Sequence, residues 1–176
     1  IPSTPYTAKG LLLAAIADPD PVMFLEPIKL YRAFKQEVPD DYYEIPVGSS
    51  RIVSQGTDLT IVAWGAMVSV AEDAASQMKC SCEIIDLHSL YPWDKKTVID
   101  SAKKTGRVMV VHEATHTAGF GAEIAASVQE EALLSLKAPV MRVTAPDVIT
   151  PLYRSEHFYR PNSDVVMKKI EEILSF

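Results

Sequence analysis

Cysteine is scarce in this chain. Of its 176 residues only Cys80 and Cys82 carry a thiol. One residue apart, they are poorly placed for a disulfide, and two thiols alone cannot complete a zinc site. That usage fits a reducing compartment. Long apolar runs are also missing: none approaches the ~20 residues a membrane helix needs. A basic excess is missing too. Seventeen Lys and Arg face 23 Asp and Glu, a net charge of −6. That speaks against a general nucleic-acid surface and leaves room for a basic protein partner. There is no internal repeat and no low-complexity tract. The start, "IPSTPY", has no Met, no basic region and no signal-peptide apolar core, so the chain reads as beginning in mid-protein.

What is present is ordinary for a globular protein: 48% hydrophobic and 23% charged residues. The length suffices for one domain with a good core, or one domain plus an appendage. Residues 59–65, "LTIVAWG", read as a strand buried on both faces. Met67, Val70, Ala71, Ala74, Ala75 and Met78 then recur at amphipathic-helix spacing. "CEIIDLH", 82–88, is a second strand. Asp94 stands at the N-cap of the helix "KKTVIDSAKKTG", which Gly106 closes. "RVMVV", 107–111, is a third strand, and a helix runs from Gly121 to about Leu136 with Phe120, Ile124, Val128, Ala132 and Leu136 inward. "PVMRVTA", 139–145, is a fourth strand, and a last helix covers about 163–174. "RIVSQGTD" offers an edge strand. This alternation predicts a three-layer α/β/α fold with a mostly parallel sheet and right-handed crossovers.

The first 47 residues differ. "TAKGLLLAAIAD" reads as a helix, "VMFLEP" as a strand, and "KQEVPDDYYEIPVG" as an acidic, proline-rich linker. A lone helix and strand cannot bury their own apolar faces. Residues 1–34 are therefore expected to fold back on the rest of the chain or to pack against a second copy.

Several residues invite chemistry. His112-Glu113-Ala114-Thr115-His116 matches the H-E-x-x-H zinc-protease motif letter for letter. That motif needs a helix to set both imidazoles on one face. Here Val110 and Val111 run straight into His112, which places it at a strand's end, with 112–116 non-helical. In an extended or turning chain the two imidazoles do not share a face. The plain reading is that His112 and Glu113 make hydrogen bonds at the sheet's C-terminal edge. Gly119-Phe120-Gly121 follows a strand and opens a helix, the place for a phosphate cradle. Yet Ile124 occupies the third glycine position, so a tight turn and close helix packing explain the pair better. Asp86 and His88 flank Leu87, and a His-Asp pair can support nucleophilic catalysis. No G-x-S-x-G elbow accompanies them, so Asp86 reads as a structural acceptor for nearby backbone N–H groups. Residues alone thus point to an α/β domain without an active site of its own.

The blocks "PSTPYTAKGLLLAAI", "VMFLEPIKLYR", "GTDLTIVAWG", "CEIIDLHSLYPWD", "KKTGRVMVVHEA" and "GFGAEIAASVQEEALLSLKAPVMRVTAPD" occur in that order. Together they resemble the beta subunit of the thiamine-diphosphate-dependent decarboxylase component of 2-oxoacid dehydrogenase complexes. "VAWG", "SCEIIDL" and "PWD" are closer to the branched-chain type than to the pyruvate type. "DLHSL" departs from the more usual "DLRTL"-like form. The resemblance implies that residues 1–47 are the tail of a pyrimidine-binding domain plus linker, and that residues 48–176 are a transketolase-type C-terminal domain. It implies thiamine diphosphate and magnesium in the whole enzyme, with the cofactor-activating glutamate and the active-site histidine absent from this chain. It implies an alpha subunit, a second beta subunit and an acyltransferase core as partners, and its subunit contacts favour a second copy as the cover for residues 1–34, so that the chain alone is expected to be a homo-oligomer. A cytoplasmic place follows, or the mitochondrial matrix in a eukaryote. The acyltransferase's subunit-binding domain is basic in this family. Glu130, Glu131, Asp147 and the terminal carboxylate of Phe176 are the acidic candidates for its docking surface.

Overall fold

The computed structural model describes residues 1–176, apart from the side chain of Tyr153. Five strands form one sheet: β1 (Ser50–Ser54), β2 (Leu59–Ala63), β3 (Cys82–Leu87), β4 (Val108–Thr115) and β5 (Met141–Ala145). Their order is β1-β3-β2-β4-β5. β1 runs antiparallel along β3, and every other neighbouring pair is parallel. The helices are α1 (Pro5–Ala17), α2 (Ala66–Ser76), α3 (Lys95–Thr105), α4 (Gly121–Ala132), the single turn α5 (Glu156–Tyr159) and α6 (Ser163–Leu174). Among the described residues no helix is long and apolar enough to cross a membrane.

Every residue of β2 and β3 is buried, because helices cover both faces of the sheet. Side chains alternate between those faces. Ile61, Ile84, Met109 and Val143 pack with Met67 and Ala71 of α2 and Ile170 of α6. Val62, Ile85 and Val110 pack on the other side with Val98 of α3 and Ile124 and Val128 of α4. The expected three layers are all present. Asp94 caps α3, its carboxylate accepting from the Thr97 N–H at 3.1 Å, and Gly106 ends that helix at φ 74°. Burial alone would raise the Asp94 pKa. Hydrogen bonds from Ser50 and Thr97 outweigh it and hold the group below the usual carboxylate range.

Three expectations need correction. The 121–136 helix stops at Ala132 and tightens into a 3-10 turn over Leu133–Ser135. Side chains every four residues drift ~40° per step on a 3.6-residue helix, about 160° from Phe120 to Leu136. A continued helix would have carried Leu136 off the core. The third strand does not end at His112 but continues to Thr115. "VMFLEP" forms no strand. An extended segment becomes one only beside a hydrogen-bonded neighbour, and none lies alongside it. Met23 there is 84% exposed.

The N-terminal helix is as expected, and it folds back. Leu11 and Ala14 are buried, while Leu12 and Ile16 remain exposed. Residues 39–45 strap across it. The Lys9 ammonium donates to the carbonyls of Asp40 and Asp41, both at 3.0 Å. Tyr43 stacks on Tyr6 with ring centroids 4.6 Å apart. A Cβ on Gly10 would lie 2.7 Å from Ile45 and Tyr43, so only glycine lets the strap lie this close.

Candidate functional site

β2 leads through α2 to β3 on one side of it, and β4 leads through α4 to β5 on the other. The C-terminal ends of β2 and β4 therefore flank a topological switch point, where open α/β sheets bind their ligands. Here that crevice is filled from within. Trp64, just after β2, stacks on His112 of β4 with centroids 5.2 Å apart and planes 12° apart. Phe120 meets Trp64 and Trp93 edge-on at 6.1 and 6.2 Å. A Cβ on Gly119 or Gly121 would lie 2.6 Å from the His112 ring. The two glycines thus exist for close packing, as the sequence suggested, and the ring they pack on is His112. No side chain hydrogen-bonds either nitrogen of this fully buried imidazole; the backbone at Ala114 is the polar group beside it, and its main contact is the stack on Trp64. Burial, and after it the charge of Arg142, pushes its pKa down to about 4.

The strand continues past His112 because it bulges. Val111 pairs with Val143, and the next partners are Thr115 and Ala145, so three residues of β4 oppose Thr144 alone. The bulge separates the two histidines of the zinc-like motif. His112 stays buried inside the sheet, and His116 falls in the turn beyond the strand. His116 is exposed, and Arg142 donates to its carbonyl at 2.9 Å and to its Nε2 at 2.7 Å. Glu113 faces Arg160 at 3.5 Å. No metal can join His112 to His116 in this arrangement.

A second cluster sits at the end of β3. Asp86 is wholly buried, and its partners are side chains rather than the backbone N–H groups expected. The Ser3 hydroxyl donates to Oδ2, and Arg51 reaches the same oxygen at 3.4 Å. His88 Nε2 lies 3.7 Å from it. Ser49 Oγ is 3.4 Å from His88 Nδ1 but donates to the Pro46 carbonyl at 2.6 Å. The serine proton is thus already committed, and no nucleophile is activated. The Ile1 nitrogen donates to the His88 carbonyl at 2.7 Å, and Ile1 and Pro27 close over Gly65. Nothing in the sequence singled out Ser3, Arg51 or Trp64. "AWG" after a buried strand was the one signal to be had. Beside this cluster a cavity of about 510 Å³ opens between α1, residues 20–25 and the 88–92 turn.

The structure does not gather the acidic docking candidates. Glu131 pairs with Lys95 of α3 at 2.6 Å, and Glu130 is exposed beside it in the last turn of α4. Asp147 accepts from the Thr117 N–H at 2.9 Å and the Thr117 hydroxyl at 2.7 Å, ahead of the first turn of that helix. Roughly 14 Å of helix separates the two places. Phe176 is exposed beyond α6, on the opposite layer.

Thiamine diphosphate and magnesium do not fit the residues present. At the α4 N-terminus the His112 ring packs against Gly119 and Gly121, so the switch point offers no open cradle. Among the described residues no three His, Cys, Asp or Glu side chains converge as metal ligands.

Residues 48–166 match the family model described as transketolase, C-terminal domain. The chain is 49% identical to the pyruvate dehydrogenase E1 component subunit beta of Acholeplasma laidlawii, covering 98% of this chain and 54% of that protein. Against the same subunit of Bacillus subtilis it is 46% identical, over 100% of this chain and 55% of the relative. It is 49% identical to the mitochondrial 2-oxoisovalerate dehydrogenase subunit beta of Dictyostelium discoideum, over 98% of this chain and 47% of the relative. The chain thus spans about half the length of the curated relatives it matches. A solved split-gene transketolase, described as an inactive beta4 tetramer, aligns with TM-score 0.67 at 26% identity. It covers 80% of this chain and 46% of that one.

Proposed function

The chain belongs to the transketolase C-terminal domain family, and from that premise we propose that it is the C-terminal part of a 2-oxoacid dehydrogenase E1 beta subunit. The parent enzyme decarboxylates a 2-oxoacid on thiamine diphosphate and transfers the acyl group to a lipoyl group of the acyltransferase core. Residues 1–47 are the tail of the pyrimidine-binding domain with its linker, and residues 48–176 the C-terminal domain. This chain supplies assembly surface and no catalysis. The observation that carries the reading is the switch-point crevice, filled by Trp64, His112 and Phe120 where related folds take a ligand. Titration calorimetry of the 176-residue chain with thiamine diphosphate and magnesium is expected to give no heat of binding. Micromolar binding would refute the assignment of roles.

For substrate we propose the branched-chain type, on "SCEIIDL" and "PWD". Identity to pyruvate-type and 2-oxoisovalerate-type relatives is equal at 49%, which supports pyruvate as the second reading. Decarboxylation by the full-length subunit joined to its alpha partner separates them: 2-oxoisovalerate turned over with higher kcat/KM than pyruvate supports the first.

The partners are the alpha subunit, a second beta subunit and the basic subunit-binding domain of the acyltransferase. Glu130 and Glu131 are its proposed contacts, with Asp147 and the terminal carboxylate of Phe176 as separate ones on other parts of the surface. Rim charges act mainly on association rate and its salt dependence. Reversal of Glu130, Glu131 and Asp147 to Lys is expected to slow association and flatten its salt dependence. An unchanged rate and salt slope in the triple variant would place docking elsewhere.

A further inference from the structure

The two cysteines stand apart from everything above, at the opposite edge of the sheet. Their spacing in sequence argued against a disulfide, since an extended chain holds alternate residues too far apart. The chain is not extended there. Residues 78–80 bend before β3 begins at Cys82, and the two sulfurs lie 3.2 Å apart. Ser81, between them, is pinned. Its carbonyl accepts from the Thr57 and Asp58 N–H groups at 3.1 and 2.9 Å. Its own N–H donates to the Asp58 carboxylate at 2.8 Å. The loop 56–58 packs so tightly on this turn that a Cβ on Gly56 would lie 2.2 Å from the Cys82 carbonyl carbon. The backbone on both sides of the sulfur pair is therefore held in place.

The two thiols are unequal. Cys80 is partly exposed and Cys82 is buried. Burial, followed by the neighbouring Cys80, drives the Cys82 thiol far above its ordinary range. Thiol–disulfide exchange needs an accessible attacking sulfur and, to finish, a second sulfur within reach of the mixed disulfide. Cys80 meets the first condition and Cys82 the second.

We propose that Cys80 and Cys82 form a reversible dithiol–disulfide site whose oxidant is a small-molecule disulfide of the glutathione class. The Cys80 thiolate attacks one sulfur of the incoming disulfide. That S–S bond breaks, and one thiolate leaves and takes a proton from water. Cys82, kept protonated by burial, passes its proton to the released small thiolate or to water as it attacks the Cys80 sulfur, and the second small thiolate leaves and is protonated by water. Two protein thiols lose two electrons and two protons, and one small disulfide becomes two thiols. Closing the bond draws Cys80 toward Cys82 and shifts Ser81, so the change is transmitted to loop 56–58 and to edge strand β1, whose Ser54 hydroxyl donates to the Cys82 carbonyl at 3.0 Å.

The test incubates the 176-residue chain with oxidised glutathione and follows intact mass, free thiols and amide exchange. The wild-type chain is expected to lose two hydrogens in mass, lose both thiols, stay monomeric with respect to disulfides and recover on addition of dithiothreitol. Amide protection is expected to change in residues 50–58. Cys82→Ser should stop at a glutathione adduct on Cys80, and Cys80→Ser should remain unmodified. Phenylarsine oxide, a probe for paired thiols, checks the geometry without any variant: one equivalent should protect both thiols of the wild-type chain. Two thiols persisting in excess oxidised glutathione, a stable adduct without closure, or disulfides formed only between chains would each overturn the proposal.

Discussion

Residues 18–34 and strand β2 are both rich in apolar side chains, yet they end in opposite states. β2 is buried at all five positions. In the N-terminal segment Met23, Ile28 and Tyr31 are 84%, 78% and 62% exposed. The difference is not hydrophobicity but hydrogen bonding. β2 has a parallel neighbour on each side, so its backbone is satisfied and its side chains can be covered. The N-terminal segment has no ladder partner, and although Leu30 packs on the core, Met23, Ile28 and Tyr31 face outward. An apolar run therefore predicts burial only when the topology supplies neighbours for its backbone.

The largest effect expected along this contrast is in the core. Ile61→Ala should lower stability by ~2–5 kcal/mol, because β2 cannot collapse into the space left. Met23→Ala should change it by about 0.5 kcal/mol or less. Equilibrium unfolding in urea compares the two. Equal effects would mean that residues 18–34 are packed in solution.

Acid is the next probe. His112 is neutral when folded, with its pKa lowered from 6.5 to about 4. Below the unfolded value the unfolded chain takes up a proton that the folded chain refuses. The stability due to neutral His112 is thus fully present above pH 6.5 and is lost as pH falls toward 4, on the order of 3 kcal/mol in all. His112→Phe should flatten the stability profile across that window. A variant as acid-sensitive as the parent would place the titration elsewhere.

The smallest effects compare two glycines under close contact. Gly119→Ala meets the Thr115 carbonyl oxygen at 2.4 Å as well as the His112 ring, and the backbone cannot yield easily. A loss of ~1–3 kcal/mol is expected. Gly10→Ala meets only the side chains of Ile45 and Tyr43. It should release the 39–45 strap, seen as faster amide exchange there, with less change in global stability. A larger global loss from Gly10→Ala would show that the strap belongs to the cooperative core.

Much of the fold was legible in the sequence. The alternation of strand and helix, the Asp94 cap, the Gly106 stop and the edge strand at 50–54 all rest on local rules: periodicity, capping and turn chemistry. Local rules also identified the 119–121 turn as a packing device. They could not say what packed on it. The bulge that carries β4 to Thr115 depends on the register against β5. The stacking of His112 on Trp64 depends on two strands 48 residues apart in sequence lying side by side. Asp86 drew Ser3 from the far end of the chain, and no spacing pattern encodes such a contact. The two cysteines make the same point at the shortest range. Sequence alone determined that a single residue separates them, and only the bend before β3, held by Asp58 and the Thr57 N–H, decided that their sulfurs touch, because strand spacing keeps such sulfurs apart until the backbone turns.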